Sequence, residues 1–223
     1  MRQHQILKKY IQGLSQGLNT SLIVVSPAGF GKTETTLKAL EELNYQEGRN
    51  YLYVANYITP RALVELLERV NGLEEPRILI LDDCDDTLRN LQAVGVLKSA
   101  LWEAGGKRKV YWITTREKKE FEFQGRIIFL LNQMRKSAVI QALKDRSLYF
   151  EMDLSLQDLF ELMRERAELP YQNIPLNKRR EIANFLAKVG SQSQNISLRT
   201  LEKAYNLYLL SPNHYQQLIY KIL

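Results

Sequence analysis

The stretch Leu22-Ile23-Val24-Val25-Ser26-Pro27-Ala28-Gly29-Phe30-Gly31-Lys32-Thr33 constrains the fold of this chain more than any other. Four apolar, mostly β-branched residues run into a loop with two glycines, then Lys-Thr, and a helical pattern follows over 32–43. The apolar run is too short for a helix and reads as a buried strand. Gly29 and Gly31 let the backbone curl so that amide N–H groups converge on one point. The N-terminus of the following helix adds partial positive charge there. Such a strand–loop–helix unit is suited to phosphate. Lys32 is expected to reach the β- and γ-phosphates of a nucleotide, and Thr33 to ligate magnesium through its hydroxyl. Ser26, Pro27, Ala28, Gly29, Phe30, Gly31, Lys32, Thr33 and Thr35 form the candidate cofactor-binding set. The loop departs from G-x-x-x-x-G-K-[ST] at its first position, Ser26.

Fifty positions after Lys32 stands Asp82, ending the apolar strand 77–82. A carboxylate at the C-terminal end of a parallel strand faces the ligand crevice. Asp82 is therefore the second candidate magnesium residue, acting through water. Asp83 is placed to polarise an attacking water, although many phosphate-loop ATPases carry the longer glutamate there. Asp85 and Asp86 extend the cluster and read as a solvated loop. Cys84 is the single cysteine, so no internal disulfide forms, and it reads as a buried thiol. With His4 and His214 at opposite ends, a structural zinc site is not expected.

The remaining pattern places these motifs in an α/β fold. Helices are expected over 3–17, from a start at Thr59-Pro60 with Ala62, Leu63, Leu66 and Leu67 on one face, and over 91–104 and 137–143; strands are expected over 51–55, 110–113, 120–123, 127–131 and 148–152. Alternating strands and helices imply a mostly parallel sheet covered on both faces, a three-layer arrangement. From residue 153 the pattern becomes purely helical, over 155–169, 177–189, 197–210 and 212–222. Ser155 and Ser197 read as N-caps, and Pro170 and Gly190 as breaks. The expected domains are thus an α/β nucleotide-binding domain, 1–152, and a small all-helical lid domain, 153–223.

With these landmarks in order, the chain resembles the AAA+ ATPases, particularly the short forms of phages and plasmids. The resemblance implies an ATPase using ATP and Mg2+, and it adds three residues to Asp83 as catalytic candidates. Asn132, ending strand 127–131, matches the polar residue called sensor 1, with Thr114 as the competing assignment. Arg146 looks like the arginine finger offered to a neighbouring subunit's ATP, where it would stabilise charge on the transferring phosphoryl group. Arg199 looks like sensor 2, starting a lid helix. A finger in trans implies a homo-oligomer, a ring or open spiral such as a hexamer.

The substrate is less legible. Net charge is +6, compatible with a polyanionic partner. The hairpin expected over 110–123 carries Arg116, Lys118 and Lys119 near its tip, either a sequence-independent nucleic-acid contact or a solvated charged turn. Tyr57-Ile58-Thr59 sits where protein-translocating relatives carry an aromatic pore loop, but lacks the expected glycine. Tyr205, Tyr208, Tyr215 and Tyr220 read as helix packing rather than base stacking. DNA or a protein–DNA assembly, a purely protein substrate, and a slowly hydrolysing nucleotide switch all stand as readings. A RecA-like or kinase fold leaves the helical C-terminal part unexplained. No apolar run approaches a membrane span and no secretory signal is visible, so a cytoplasmic location is expected.

Overall fold

The computed structural model describes residues 2–134, 138–193 and 196–223. Two compact units are present, one comprising Met1–Pro27 with Lys32–Met152, the other Ala28–Gly31 with Asp153–Leu223.

The first unit is built on five parallel strands, β1 (Ser21–Val25), β2 (Tyr51–Ala55), β3 (Ile78–Asp82), β6 (Arg126–Leu131) and β7 (Leu148–Glu151), in the order β2-β3-β6-β1-β7. Its helices are α1 (Gln3–Ser15), α2 (Lys32–Glu42), α3 (Pro60–Asn71), α4 (Leu91–Leu101) and α5 (Ala138–Lys144). The order fixes the layering. The crossover from β1 to β2 runs one way along the sheet; those from β2 to β3, β3 to β6 and β6 to β7 run the other way. Right-handed crossovers then put α2 on one face and α3, α4 and α5 on the opposite face. Accordingly α1 packs on α2, while α3 packs on α4 and α4 on α5.

The alternation of side chains serves both faces. Ile23, Leu79, Leu81, Ile127 and Phe129 join Leu63, Leu67, Val94 and Leu97 in one core. Their neighbours Leu22, Val24, Ile78, Ile80, Ile128 and Leu130 are equally buried and turn to the other face. This two-sided burial is why the strands read as unbroken apolar runs.

Local chemistry sets the boundaries. The Thr59 side chain accepts from Ala62 N–H and Pro60 takes the first helical turn of α3. Asn90 caps α4 in the same way. That helix stops at Leu101 rather than near residue 104, because Ala104 and Lys107 pair across a tight turn. Gly105 and Gly106 there have φ of 60° and 77°, the left-handed conformation a two-residue primed turn requires. The expected hairpin forms from β4 (Lys109–Ile113) and β5 (Lys118–Glu122), antiparallel and separate from the main sheet. The helix expected over 137–143 is described from Ala138 onward; Ser137 lies outside the described residues.

The second unit contains α6 (Leu156–Ala167), α7 (Leu176–Val189), α8 (Leu198–Leu210) and α9 (Tyr215–Tyr220) around Leu159, Met163, Ile182, Leu186, Leu201 and Ile219. Ser155 and Asp158 form a capping box at α6. Tyr205 and Tyr215 are buried as expected, whereas Tyr220 is exposed and only edges against Phe185. No helix among the described residues is long and apolar enough to cross a membrane.

Gly125, between β5 and β6, has no room for a side chain. A Cβ there would stand 2.5 Å from Val70 Cγ1 and 2.7 Å from Phe123 Cζ. Gly125→Ala is expected to destabilise the protein by about 1–3 kcal/mol through overpacking. Urea unfolding should show a lower midpoint with an unchanged slope.

Candidate functional site

The site is assembled by strand register. β6 lies between β1 and β3, with Val25 opposite Leu131 and Asp82 opposite Leu130. The residues that leave these strands, Ser26, Asn132 and Asp83, therefore emerge side by side at the C-terminal rim. Ser26 N–H donates to the Leu131 carbonyl and Asp83 N–H to the Leu130 carbonyl, which extends the ladder by one step. Crossovers leave β1 and β6 in opposite directions over opposite faces, and a crevice opens at such a place.

Lys32 begins α2 and is buried. Its Nζ donates to Asn132 Oδ1 at 2.7 Å and lies 3.8 Å from Asp83 Oδ1. Asn132 Nδ2 donates to Asp83 Oδ1 at 2.8 Å. The amide has one workable orientation, because a flipped group would point its NH2 at the ammonium. Asp83 has φ +49, a left-handed conformation that aspartate and asparagine adopt more readily than other non-glycine residues.

A second contact pair lies beside this chain. Thr33 Oγ1 donates to Asp82 Oδ2 at 2.7 Å, and Tyr53 OH donates to the same oxygen at 2.7 Å. Asp82 is 4% exposed, and its Oδ1 is buried with no hydrogen-bond partner. A buried carboxylate oxygen is ordinarily satisfied. The hydroxyl of Thr33 and the vacant Oδ1 together fit a hard cation or its water, since magnesium takes one or two protein oxygens and completes its shell with water and phosphate. Among the described residues no cluster of three or more His, Cys, Asp or Glu offers an all-protein metal cage.

The loop itself answers the question raised by Ser26. Gly29 and Gly31 have φ of 80° and 85°, where glycine is required. Ser26 is not in that region, so serine is compatible with the first position. The N–H groups of the first turn of α2 have no intrahelical acceptors. Ala28–Gly31, the crown of the loop, belongs to the helical unit. There Leu198 N–H donates to the Gly29 carbonyl at 3.0 Å. A Cβ on Gly29 would stand 2.8 Å from Ser197 Cβ and 3.6 Å from Arg199 Cγ. Arg199 is exposed at the start of α8, and Thr35 is buried in α2.

Other candidates are placed differently. Thr114 closes the hairpin turn through contacts with Arg116 and Glu117, in the two-stranded sheet rather than at the end of a main-sheet strand. Arg146 follows α5. Its carbonyl accepts from Ser21 Oγ at the start of β1, the edge of the sheet opposite Lys32. Its guanidinium donates to the Ala142 carbonyl and lies 4.6 Å from the centroid of the Trp102 ring. Arg146 is thus distant from the crevice of its own chain. Asp86 pairs with Arg89 in solvent, but Asp85 is half-buried with an unpartnered Oδ1, contrary to its reading as a solvated residue. The Cys84 thiol is buried and donates to the Asp82 carbonyl, and burial with neighbouring carboxylates pushes its pKa up to about 12. The hairpin's basic tip is partly neutralised. Lys119 pairs with Glu68, while Arg116 and Lys118 stay exposed.

Tyr53 was not a sequence candidate. Its signal was the alternation of Tyr51 and Tyr53 in β2, which places both hydroxyl-bearing rings on the face to which Asp82 turns. Burial, then the hydrogen bond to Asp82, raises its pKa, so Tyr53 remains a donor.

No family model matches the chain. Over 97% of its length it is 27% identical to an uncharacterised 36.7 kDa protein in the nrdC–mobD intergenic region of Enterobacteria phage T4, covering 72% of that protein.

Tyr53→Phe removes one of two donors to Asp82 Oδ2. It is expected to cost about 1–2 kcal/mol of stability without added magnesium. A thermal midpoint equal to that of the native protein would contradict this account of the site.

Proposed function

We propose that the chain is an ATPase of the AAA+ type that binds ATP with magnesium, hydrolyses it at subunit interfaces, and uses it to remodel DNA or a protein–DNA assembly. One observation carries the reading. Lys32, Asn132 and Asp83 form a hydrogen-bonded chain on the rim of three adjacent parallel strands, with Thr33 and Asp82 paired beside it.

In this reading the loop amides and the Lys32 ammonium hold the phosphates. Thr33 and Asp82 hold magnesium, which when bound draws charge from the phosphate oxygens. Asn132 and Asp83 orient a water. Its oxygen bonds to the γ-phosphorus, the β–γ bridging P–O bond breaks, and the proton passes by way of Asp83 to solvent. Hydrogen bonding to Asn132 keeps the Asp83 carboxylate aimed rather than free to rotate. Arg146, remote from its own crevice, is assigned the finger role toward a neighbouring copy. Arg199, whose stem approaches Gly29, is assigned the second-sensor role. ATP rather than GTP follows from the resemblance alone. A slow nucleotide switch is the second reading. It draws support from Asp83, which is short and already engaged by Asn132.

Steady-state ATP hydrolysis against protein concentration, with and without single-stranded or duplex DNA, tests the proposal. Specific activity is expected to rise with concentration and again with DNA. A flat, low rate that DNA leaves unchanged supports the switch. Lys32→Ala is expected to abolish nucleotide binding, and Asp83→Asn to preserve binding while lowering turnover. Arg146→Ala is expected to lower kcat by about a thousandfold or more while leaving nucleotide affinity of the isolated subunit intact. Mixing Arg146→Ala with Lys32→Ala subunits should restore activity; no recovery in any ratio removes the trans assignment.

A further inference from the structure

A second cavity, of about 420 Å3, lies between α4 and β4, outside the nucleotide site. Its helix wall is formed by Gly95, Lys98, Ser99 and Trp102, spaced i, i+3, i+4 and i+7 on one face of α4. Its strand wall is formed by Lys107, Lys109 and Tyr111, which alternate onto one side of the extended chain. The Gly105-Gly106 turn ties the two walls together.

Three features make this a built groove. Trp102 is 55% and Tyr111 45% exposed, unusual for rings of this size with a core available. Three lysines surround them. Lys107 and Lys109 pair with half-buried Glu122 and exposed Glu120, and such surface pairs are weak and easily exchanged. Lys98 has no ion-pair partner among the described residues. Lastly, Gly95 occupies a helix interior, where glycine is unfavourable, yet a Cβ there would meet nothing within 4 Å. No packing requirement explains the glycine. It leaves the floor of the groove open.

We propose that this groove binds single-stranded nucleic acid, one base lying against Trp102 and Tyr111 with flanking phosphates on Lys98, Lys107 and Lys109. Aromatic faces recognise unpaired bases because every base has a π-face, and duplex DNA keeps those faces stacked. Lysines on both walls track a backbone that enters and leaves. The volume suits a single nucleotide of the strand. The inference deepens DNA as the partner and rests on that part of the functional reading, not on ATP hydrolysis.

The test is fluorescence anisotropy of a labelled oligothymidylate of about 15 nucleotides, measured without ATP. Binding that weakens with salt is expected for the native chain. Trp102→Ala should weaken it about five- to hundredfold. Lys98→Glu should weaken it at least comparably and flatten the salt dependence. Gly95→Leu fills the groove and should block binding while thermal unfolding shows a retained fold. The site is overturned if all three variants bind as the native chain does, or if no single strand binds at any salt. Loss in Arg116→Ala alone moves the contact to the hairpin tip and also overturns it. Thymidine monophosphate binding as tightly as the strand assigns the groove to a free nucleotide instead. Polyglutamate binding that survives Trp102→Ala assigns it to an acidic peptide. Because ATP is absent, failure here leaves the hydrolysis reading standing, and failure of hydrolysis leaves the groove standing.

Discussion

The register of β6 between β1 and β3 is the constraint on which the candidate site depends. Residues 26, 83 and 132 are far apart in sequence but leave adjacent strands at one level. The ladder bonds from Ser26 and Asp83 to β6 carbonyls hold that level beyond the strands proper. A shift of β6 by one residue would turn Ile128 and Leu130 to the wrong layer and carry Asn132 away from Lys32 and Asp83 together. The apolar packing of both faces and the polar arrangement of the rim are therefore set by one alignment.

On that rim the polar groups are unequally satisfied. Lys32, Asn132 and Asp83 complete one another, so each side chain is directed before any ligand arrives. Asp82 differs, with two donors on one oxygen and none on the other. Buried polar groups without partners are costly, and functional sites are where such costs concentrate. Tyr53 offsets part of the cost from a neighbouring strand. It supports the carboxylate from behind while leaving the second oxygen open.

Much of this arrangement was legible in the sequence, for identifiable reasons. The strands around the site are buried on both faces, so their runs of Ile, Leu and Val are hard to mistake. Gly29 and Gly31 mark backbone only glycine adopts freely. Both Asn132 and Thr114 end short apolar strands, and the stronger buried-strand pattern of 127–131 favours Asn132 in the sequence. What placed them apart was the hairpin forming its own sheet. Tyr53 was hidden because a tyrosine in a strand reads first as packing, and the partner that gives it meaning is 29 residues away. The end of α4 was misplaced by a few residues because helical propensity carries through Glu103 and Ala104, while the paired turn that stops it is non-local. The groove beneath Gly95 escaped notice for a related reason. A glycine inside a helical pattern shows neither what faces it nor that nothing does.

The left-handed backbone at residue 83 bears on how such a chain drifts in sequence. The side chain there is chosen first by the peptide geometry at the end of β3 and only then by its reach. Asparagine and glycine fit that geometry; glutamate, with a longer reach and a worse fit, does not. Exchanging the short carboxylate for the long one thus requires the loop after β3 to change course at the same time. Two coupled changes are rarer than one, so the reach of the carboxylate on this rim is held short by a backbone bend as much as by the side chain itself.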